Sequence, residues 1–168
     1  MKKKSLLLLC TIVGIAIIFA TTGIHAGTEV LDEIVMDNPA YEKHKKSIVT
    51  FTHKKHMDDY ATENPDLYKN KCGECHHDEN NKPLTDLKVG DDVQSCMECH
   101  KKPGEVPKEL KKEWKAKKIK KKEKDKMALE YHAEAIHDNC RPCHKKFNKK
   151  TKTKDAPTTC AKCHPKKK

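Results

Sequence analysis

The sequence predicts a fold with little regular secondary structure, mainly helical with one short β segment, whose core is not made by its own side chains. Charged residues make up 36% of the 168 residues, and aromatic residues only 5%. This composition leaves too little apolar surface for a core of ordinary size. The chain nevertheless contains nine cysteines and eleven histidines, which an unstructured lysine-rich chain would not need. Its length excludes a large multidomain enzyme.

Residues 1–26 have the pattern of an export signal. Three lysines follow Met1, an apolar run extends from Leu6 to Ala20, and small residues stand at Ala26-Gly27. This pattern predicts cleavage and an exported chain of residues 27–168. Cys10 lies inside the apolar run and would be removed. An uncleaved membrane anchor is the alternative, because the apolar run approaches the length that spans a bilayer.

The remaining cysteines form four C-x-x-C-H units, and none is left over. This motif is the covalent attachment signature of c-type haem, in which two thiols add to the porphyrin and the adjacent histidine reaches the iron as an axial ligand. The predicted attachment residues are Cys72, Cys75, Cys96, Cys99, Cys140, Cys143, Cys160 and Cys163. The predicted proximal ligands are His76, His100, His144 and His164.

Three other interpretations of paired cysteines fit less well. A structural zinc site would not require a histidine after every second cysteine. A thioredoxin-like redox pair occurs once, on a βαβ scaffold that this sequence lacks. A disulfide framework suits an exported protein but imposes no Cys-His dipeptide. Four haems would also supply the missing apolar surface, so we expect a multihaem cytochrome c fold wrapped around four haems.

Six further histidines outside the export signal are candidates for the second axial position of the four irons: His44, His53, His56, His77, His132 and His137. Imidazole on both faces of an iron leaves no open position for oxygen or substrate. Closed coordination favours electron transfer over catalysis. Counting does not exclude methionine as a ligand, since the chain contains five.

Two stretches carry a family resemblance. Val49–His56, which contains the pair His53 and His56, and Cys72–His77, which ends in two histidines, resemble the opening of the tetrahaem class III cytochromes c. These are small periplasmic electron carriers. The 39 residues between His100 and Cys140 are more than the resemblance leads us to expect.

The resemblance also implies the distal ligands. It assigns His53 to the first haem, His77 to the second and His56 to the third. His137 is the implied ligand of the fourth haem, with His132 as its rival. His44, between two lysines, is expected to be solvated.

Few regular elements are expected along the chain. Ile48–Thr52 alternates between apolar and polar residues and is rich in β-branched side chains, which predicts a short strand. Asn64-Pro65 and Asn80–Pro83 predict turns. Pro107–Asp138 contains no glycine or internal proline and is predicted to be one helix. Its lysine-rich part, within an insertion at about residues 101–126, is either a solvated surface or a docking surface.

Charge is distributed unevenly. The net formal charge is −7 for residues 27–100, +8 for residues 101–126 and +10 for residues 140–168. Export and the lack of interleaved aromatic residues argue against nucleic-acid binding. The basic end instead predicts an acidic docking surface on a protein partner.

Together, motifs and resemblance predict a periplasmic electron carrier that is not an enzyme. It would pass electrons between redox enzymes, such as periplasmic hydrogenase or formate dehydrogenase, and membrane cytochrome complexes or terminal acceptors. Two alternatives remain. One is a membrane-anchored tetrahaem cytochrome that oxidises quinol, which requires the N-terminal segment to be retained. The other is a terminal reductase of metals or small oxyanions.

Overall fold

A computed structural model describes residues 30–166 of the chain. The predicted export signal therefore lies outside the described residues. Strands β1 and β2 are Ile34–Val35 and Thr50–Phe51. The α-helices are α1 (His53–Met57), α2 (Asp59–Glu63), α3 (Cys96–Cys99), α4 (Lys108–Ala116), α5 (Lys121–Ala128), α6 (His132–Thr151) and α7 (Cys160–Cys163). Two 3₁₀ helices span Pro65–Leu67 and Lys71–Glu74.

The side chains of residues 30–166 make only a small core. The buried apolar residues there are Leu67, Val106 and Trp114, and none of the large side chains is fully buried. The mainly helical structure with one short sheet agrees with the predicted fold class. Because so few apolar groups are removed from water, these side chains alone provide little of the burial that normally stabilises a domain.

The short sheet positions the first candidate ligands. β1 and β2 are antiparallel, with Ile34 opposite Phe51 and Val35 opposite Thr50. The strand predicted at Ile48–Thr52 is thus present but shorter. Helix α1 begins one residue after the paired segment and carries both His53 and His56 on successive turns.

The two predicted turns are confirmed. Asn64 is followed by the 3₁₀ helix at Pro65–Leu67. In the second turn, one carboxylate oxygen of Asp78 accepts hydrogen bonds from the N–H groups of Asn80 (2.9 Å) and Lys82 (2.8 Å). Asn81 has a φ of +61°, a conformation that asparagine tolerates better than most residues.

The single helix predicted over Pro107–Asp138 is wrong, since the structure divides this region among α4, α5 and α6. The first break lies at residues 117–120, where Lys118 has a φ of +51° and Ile119 N–H bonds to Trp114 O at 3.1 Å. Lysines four residues apart on both sides of this break would repel each other in a continuous helix.

The second break separates α5 from α6 and is held by a bridge to a segment that precedes both helices. Lys102 pairs with Tyr131 in a parallel bridge, through Lys102 N–H to Glu130 O at 3.0 Å and His132 N–H to Lys102 O at 2.8 Å. The chain therefore enters the lysine-rich insertion beside the segment at which α6 begins. α6 then continues past Asp138 and through Pro142 to Thr151, well beyond the predicted end. In the described range, no helix is both long and apolar enough to cross a membrane.

Candidate functional site

Each C-x-x-C-H unit is wound into a helical turn. The histidine N–H bonds to the carbonyl of the first cysteine of the unit in three of them, from His76 to Cys72 (2.9 Å), His100 to Cys96 (2.9 Å) and His164 to Cys160 (2.7 Å). The third unit lies inside α6. Residues three and four apart share one face of a helical turn, so both thiols and the imidazole of each unit lie on the same side.

The eight cysteines of the described residues all carry free thiols. Desolvation raises the pKa of the Cys75 thiol to about 12 and that of Cys140 to about 11. Burial of these two thiols therefore favours their neutral form. Among residues 30–166, no group of three or more His, Cys, Asp or Glu side chains is placed to hold a metal ion by itself. The arrangement does not resemble a four-ligand zinc site.

Each of the four motif histidines faces one of the other histidines. The ring centroids lie 6.2 Å apart for His53 and His76, 6.0 Å for His77 and His100, 6.1 Å for His56 and His144, and 6.5 Å for His137 and His164. The partners come from separate elements. The fold therefore brings together four imidazole pairs, each with a C-x-x-C unit next to one member.

These separations fit one metal ion between the two rings of each pair. Rings that bind a metal from opposite sides need centroids about 6 Å apart, because a metal–nitrogen bond measures about 2 Å and the ring centre lies about 1 Å behind the nitrogen. A c-type haem would use the two thiols for attachment and the two imidazoles as axial ligands. The residues present fit that group at all four places.

Backbone carbonyls fix the orientation of five of these eight rings through Nδ1. The bonds run from His56 to Thr52 O (2.8 Å), His77 to Asp78 O (2.8 Å), His144 to Pro157 O (2.7 Å), His164 to Ser47 O (2.7 Å) and His100 to Leu129 O. A ring that donates from Nδ1 keeps the Nε2 lone pair for a metal. Five of the rings are thus set in the tautomer that coordinates through Nε2.

The other three rings have different surroundings. His53 Nδ1 is buried without a hydrogen-bond partner among the described residues. Desolvation lowers the pKa of His76, which favours the neutral form that binds a metal. His137 faces a carboxylate, since its Nδ1 lies 3.8 Å from Glu105 Oε1.

The two remaining histidines of residues 30–166 belong to a separate cluster around Tyr41. The Tyr41 hydroxyl and His132 Nδ1 form a hydrogen bond of 2.8 Å. His44 stacks on the Tyr41 ring, with an interplanar angle of 8°, and its Nε2 lies 2.8 Å from Asp37 Oδ1. The structure therefore places His137, not His132, against His164. His44 is half-buried and held by two contacts, so the expectation that it is merely solvated is wrong.

Sequence reasoning missed the groups that orient the imidazoles. Leu129, Pro157 and Ser47 act through their carbonyl oxygens, which carry no side-chain signature. Tyr41 and Glu105 lie far in the sequence from His132 and His137, which they contact, and no spacing rule links them. Only Asp78, next to His77, adjoins its partner in the sequence.

Comparison with known families gives one finding. A family model described as the class III cytochrome C family matches residues 31–164, which covers nearly all of the described structure. No curated protein and no solved structure matches the chain significantly.

Proposed function

Because this chain belongs to the class III cytochrome c family, whose members are small multihaem electron carriers, we propose that it is a periplasmic carrier with four c-type haems. The observation that carries the proposal is the set of four imidazole pairs, each beside a C-x-x-C unit. The four attachment units contain all eight cysteines of the described residues, and the four pairs contain eight histidines.

The proposed assignments follow the four pairs. Cys72 and Cys75 hold the first haem between His76 and His53. Cys96 and Cys99 hold the second between His100 and His77, and Cys140 and Cys143 the third between His144 and His56. Cys160 and Cys163 hold the fourth between His164 and His137.

Two imidazoles on each iron support electron transfer rather than catalysis. The bound iron would supply a centre that takes up and releases one electron. The two imidazoles of each pair would hold the iron and leave no open position for a substrate. The carbonyl bonds to Nδ1 also hold the rings in place, so little rearrangement is needed when the charge changes. On this basis we propose that the chain is a carrier and not an enzyme.

Short chain connections between the proposed haem sites support fast electron transfer within the protein. His76 and His77 are adjacent in the chain but face rings of the first and second sites. His53 and His56 lie three residues apart on α1 and face rings of the first and third sites. One dipeptide and one helical turn thus connect three of the four sites.

The charge distribution supports an acidic protein partner. Residues 140–168 carry a net charge of +10, and residues 101–126 carry +8. Within the described structure, three lysines of the insertion form ion pairs, namely Lys102, Lys111 and Lys117. The other lysines of α4 and α5 form no ion pair with any of the described residues. We propose that partners such as hydrogenase, formate dehydrogenase or membrane cytochrome complexes dock through acidic surfaces, which accelerates association.

The experiment is to follow transfer through the purified holoprotein. Hydrogenase with hydrogen, or formate dehydrogenase with formate, should reduce all the haem absorbance, and an oxidised multihaem acceptor should reverse it. Carbon monoxide should leave the reduced spectrum unchanged because no iron has an open position. His137→Ala is the matched control, since it opens one site and should admit carbon monoxide. Carbon monoxide binding by the wild-type protein would contradict the carrier proposal and favour a reductase.

A further inference from the structure

Glu105 gives one of the four sites a charged neighbour. Its Oε1 lies 3.8 Å from Nδ1 of His137, and 59% of its side chain is exposed. Five of the other seven paired imidazoles have an Nδ1 partner, and in each case this partner is a neutral backbone carbonyl. The contact therefore distinguishes the His137 and His164 site electrostatically from the remaining three.

The backbone on both sides of Glu105 is fixed to the first turn of α6. Gly104 O accepts a hydrogen bond from Ala133 N–H at 3.1 Å. Val106 is buried, and its N–H donates to Glu134 Oε1 at 3.3 Å. Since α6 also carries His137, Glu105 is held over the helix that presents this ligand.

The ion pairs nearby do not use Glu105. Lys111 Nζ bonds to Glu134 Oε1 at 2.8 Å, and Lys102 pairs with Glu130. A cavity of about 300 Å³ beside His137 is lined by further charges, including Asp138, Arg141 and Lys145. These charges have both signs, whereas the group opposite Nδ1 is a carboxylate.

We propose that Glu105 is a positioning residue that lowers the reduction potential of the haem held by His137 and His164. The inference rests on the proposed function. Glu105 of the lysine-rich insertion would thus give His137 a carboxylate neighbour, whereas Nδ1 of His100 faces the neutral carbonyl of Leu129.

The direction of the change in reduction potential follows from the charge of the carboxylate. Oxidised iron carries one more positive charge than reduced iron, so a nearby carboxylate stabilises the oxidised form. Exposure of Glu105 to solvent weakens the interaction without reversing its sign.

The test uses two charge series in the holoprotein. Glu105→Gln removes the carboxylate charge and Glu105→Lys reverses it. Glu109→Gln and Glu109→Lys make the same charge changes at an exposed position of α4 in the same insertion. Glu109 forms no ion pair among the described residues. Midpoint potentials of individual haems are measured by redox titration followed by NMR of the haem methyl groups, with haem content and spin state recorded for each variant.

We expect the potential of the His137 haem to rise from Glu to Gln to Lys at position 105. A tenfold change in the ratio of oxidised to reduced protein corresponds to about 59 mV for a one-electron couple, and we expect up to about that shift for Glu105→Gln. The other three haems and the Glu109 series should change much less.

Three results would overturn the inference, and they separate it from the proposed function. Four low-spin haems with an unchanged potential in both Glu105 variants, or equal shifts in the Glu109 series, would exclude the role of Glu105 alone. A wild-type protein without a haem between His137 and His164 would exclude both this role and the proposed function.

Discussion

The imidazole rings of His137 and His164 lie 6.5 Å apart with their planes at 89°, although His137 lies in α6 and His164 directly follows α7. His132, five residues before His137 on the same helix, is instead hydrogen-bonded to Tyr41 at 2.8 Å. The two histidines were rival candidates for one role. Their contacts now distinguish them and allow a paired substitution.

Replacing His137 by Ala should leave one iron with a vacant axial position. The expected result is one high-spin or mixed-spin haem in the electron paramagnetic resonance spectrum of the oxidised protein, with three low-spin haems unchanged. His132→Ala is the control, because it removes the Tyr41 bond and should retain four low-spin haems. The opposite pattern would assign the ligand role to His132.

Gly73 should not tolerate a side chain. A Cβ atom at this position would lie 3.0 Å from the backbone N and C of Leu84, and Leu84 N–H is fixed to His76 O at 2.9 Å. Because backbone must shift to make room, Gly73→Ala should destabilise the protein by about 1–3 kcal/mol. Chemical unfolding of the holoprotein measures this change.

The control for Gly73 is the equivalent position of the fourth unit. Ala161 already carries a Cβ and is exposed, so Ala161→Ser should change the free energy of unfolding by less than about 0.5 kcal/mol. Equal stability of Gly73→Ala and the wild type would show that the turn at the first unit has room that its geometry does not indicate.

Lysines near the fourth unit should accelerate reduction by an acidic partner. Replacing Lys162, Lys166, Lys167 and Lys168 by Gln, of which the last two lie outside the described residues, should lower the bimolecular rate several-fold at low salt. The difference should shrink as salt rises, because the Debye length falls to about 10 Å at 0.1 M. Stopped-flow reduction by hydrogenase or formate dehydrogenase provides the rate.

The control removes the same number of positive charges from the acidic half of the chain. Exposed lysines that form no ion pair in the described structure serve for this, namely Lys55, Lys69, Lys82 and Lys88. This variant should retain most of the wild-type bimolecular rate of reduction. Equal losses in both variants would show that net charge, not this face, controls association.

The attachment units could be predicted from the sequence because their chemistry is local. Covalent attachment at C-x-x-C-H requires residues within a single helical turn, and Cys72 to His76 shows that turn directly. The distal partners were different, since spacing alone left six candidates. Only the family resemblance selected His53, His56, His77 and His137, and their ligation remains a prediction.

The unpredicted features depend on contacts between distant segments. The predicted helix over Pro107–Asp138 breaks where Lys102 pairs with Tyr131, 29 positions later in the chain. β1 was not predicted because Ile34 and Val35 are exposed on a strand of two residues. The Glu105 contact with His137 likewise depends on how the insertion returns to α6.

The number of covalently bound haems tests the central claim most directly. Intact mass spectrometry of the purified protein, combined with a pyridine haemochrome assay, measures that number per chain, and electron paramagnetic resonance reports the spin state. The account predicts four covalently attached haems, all low-spin. Fewer than four, or a high-spin haem in the wild-type protein, would contradict it.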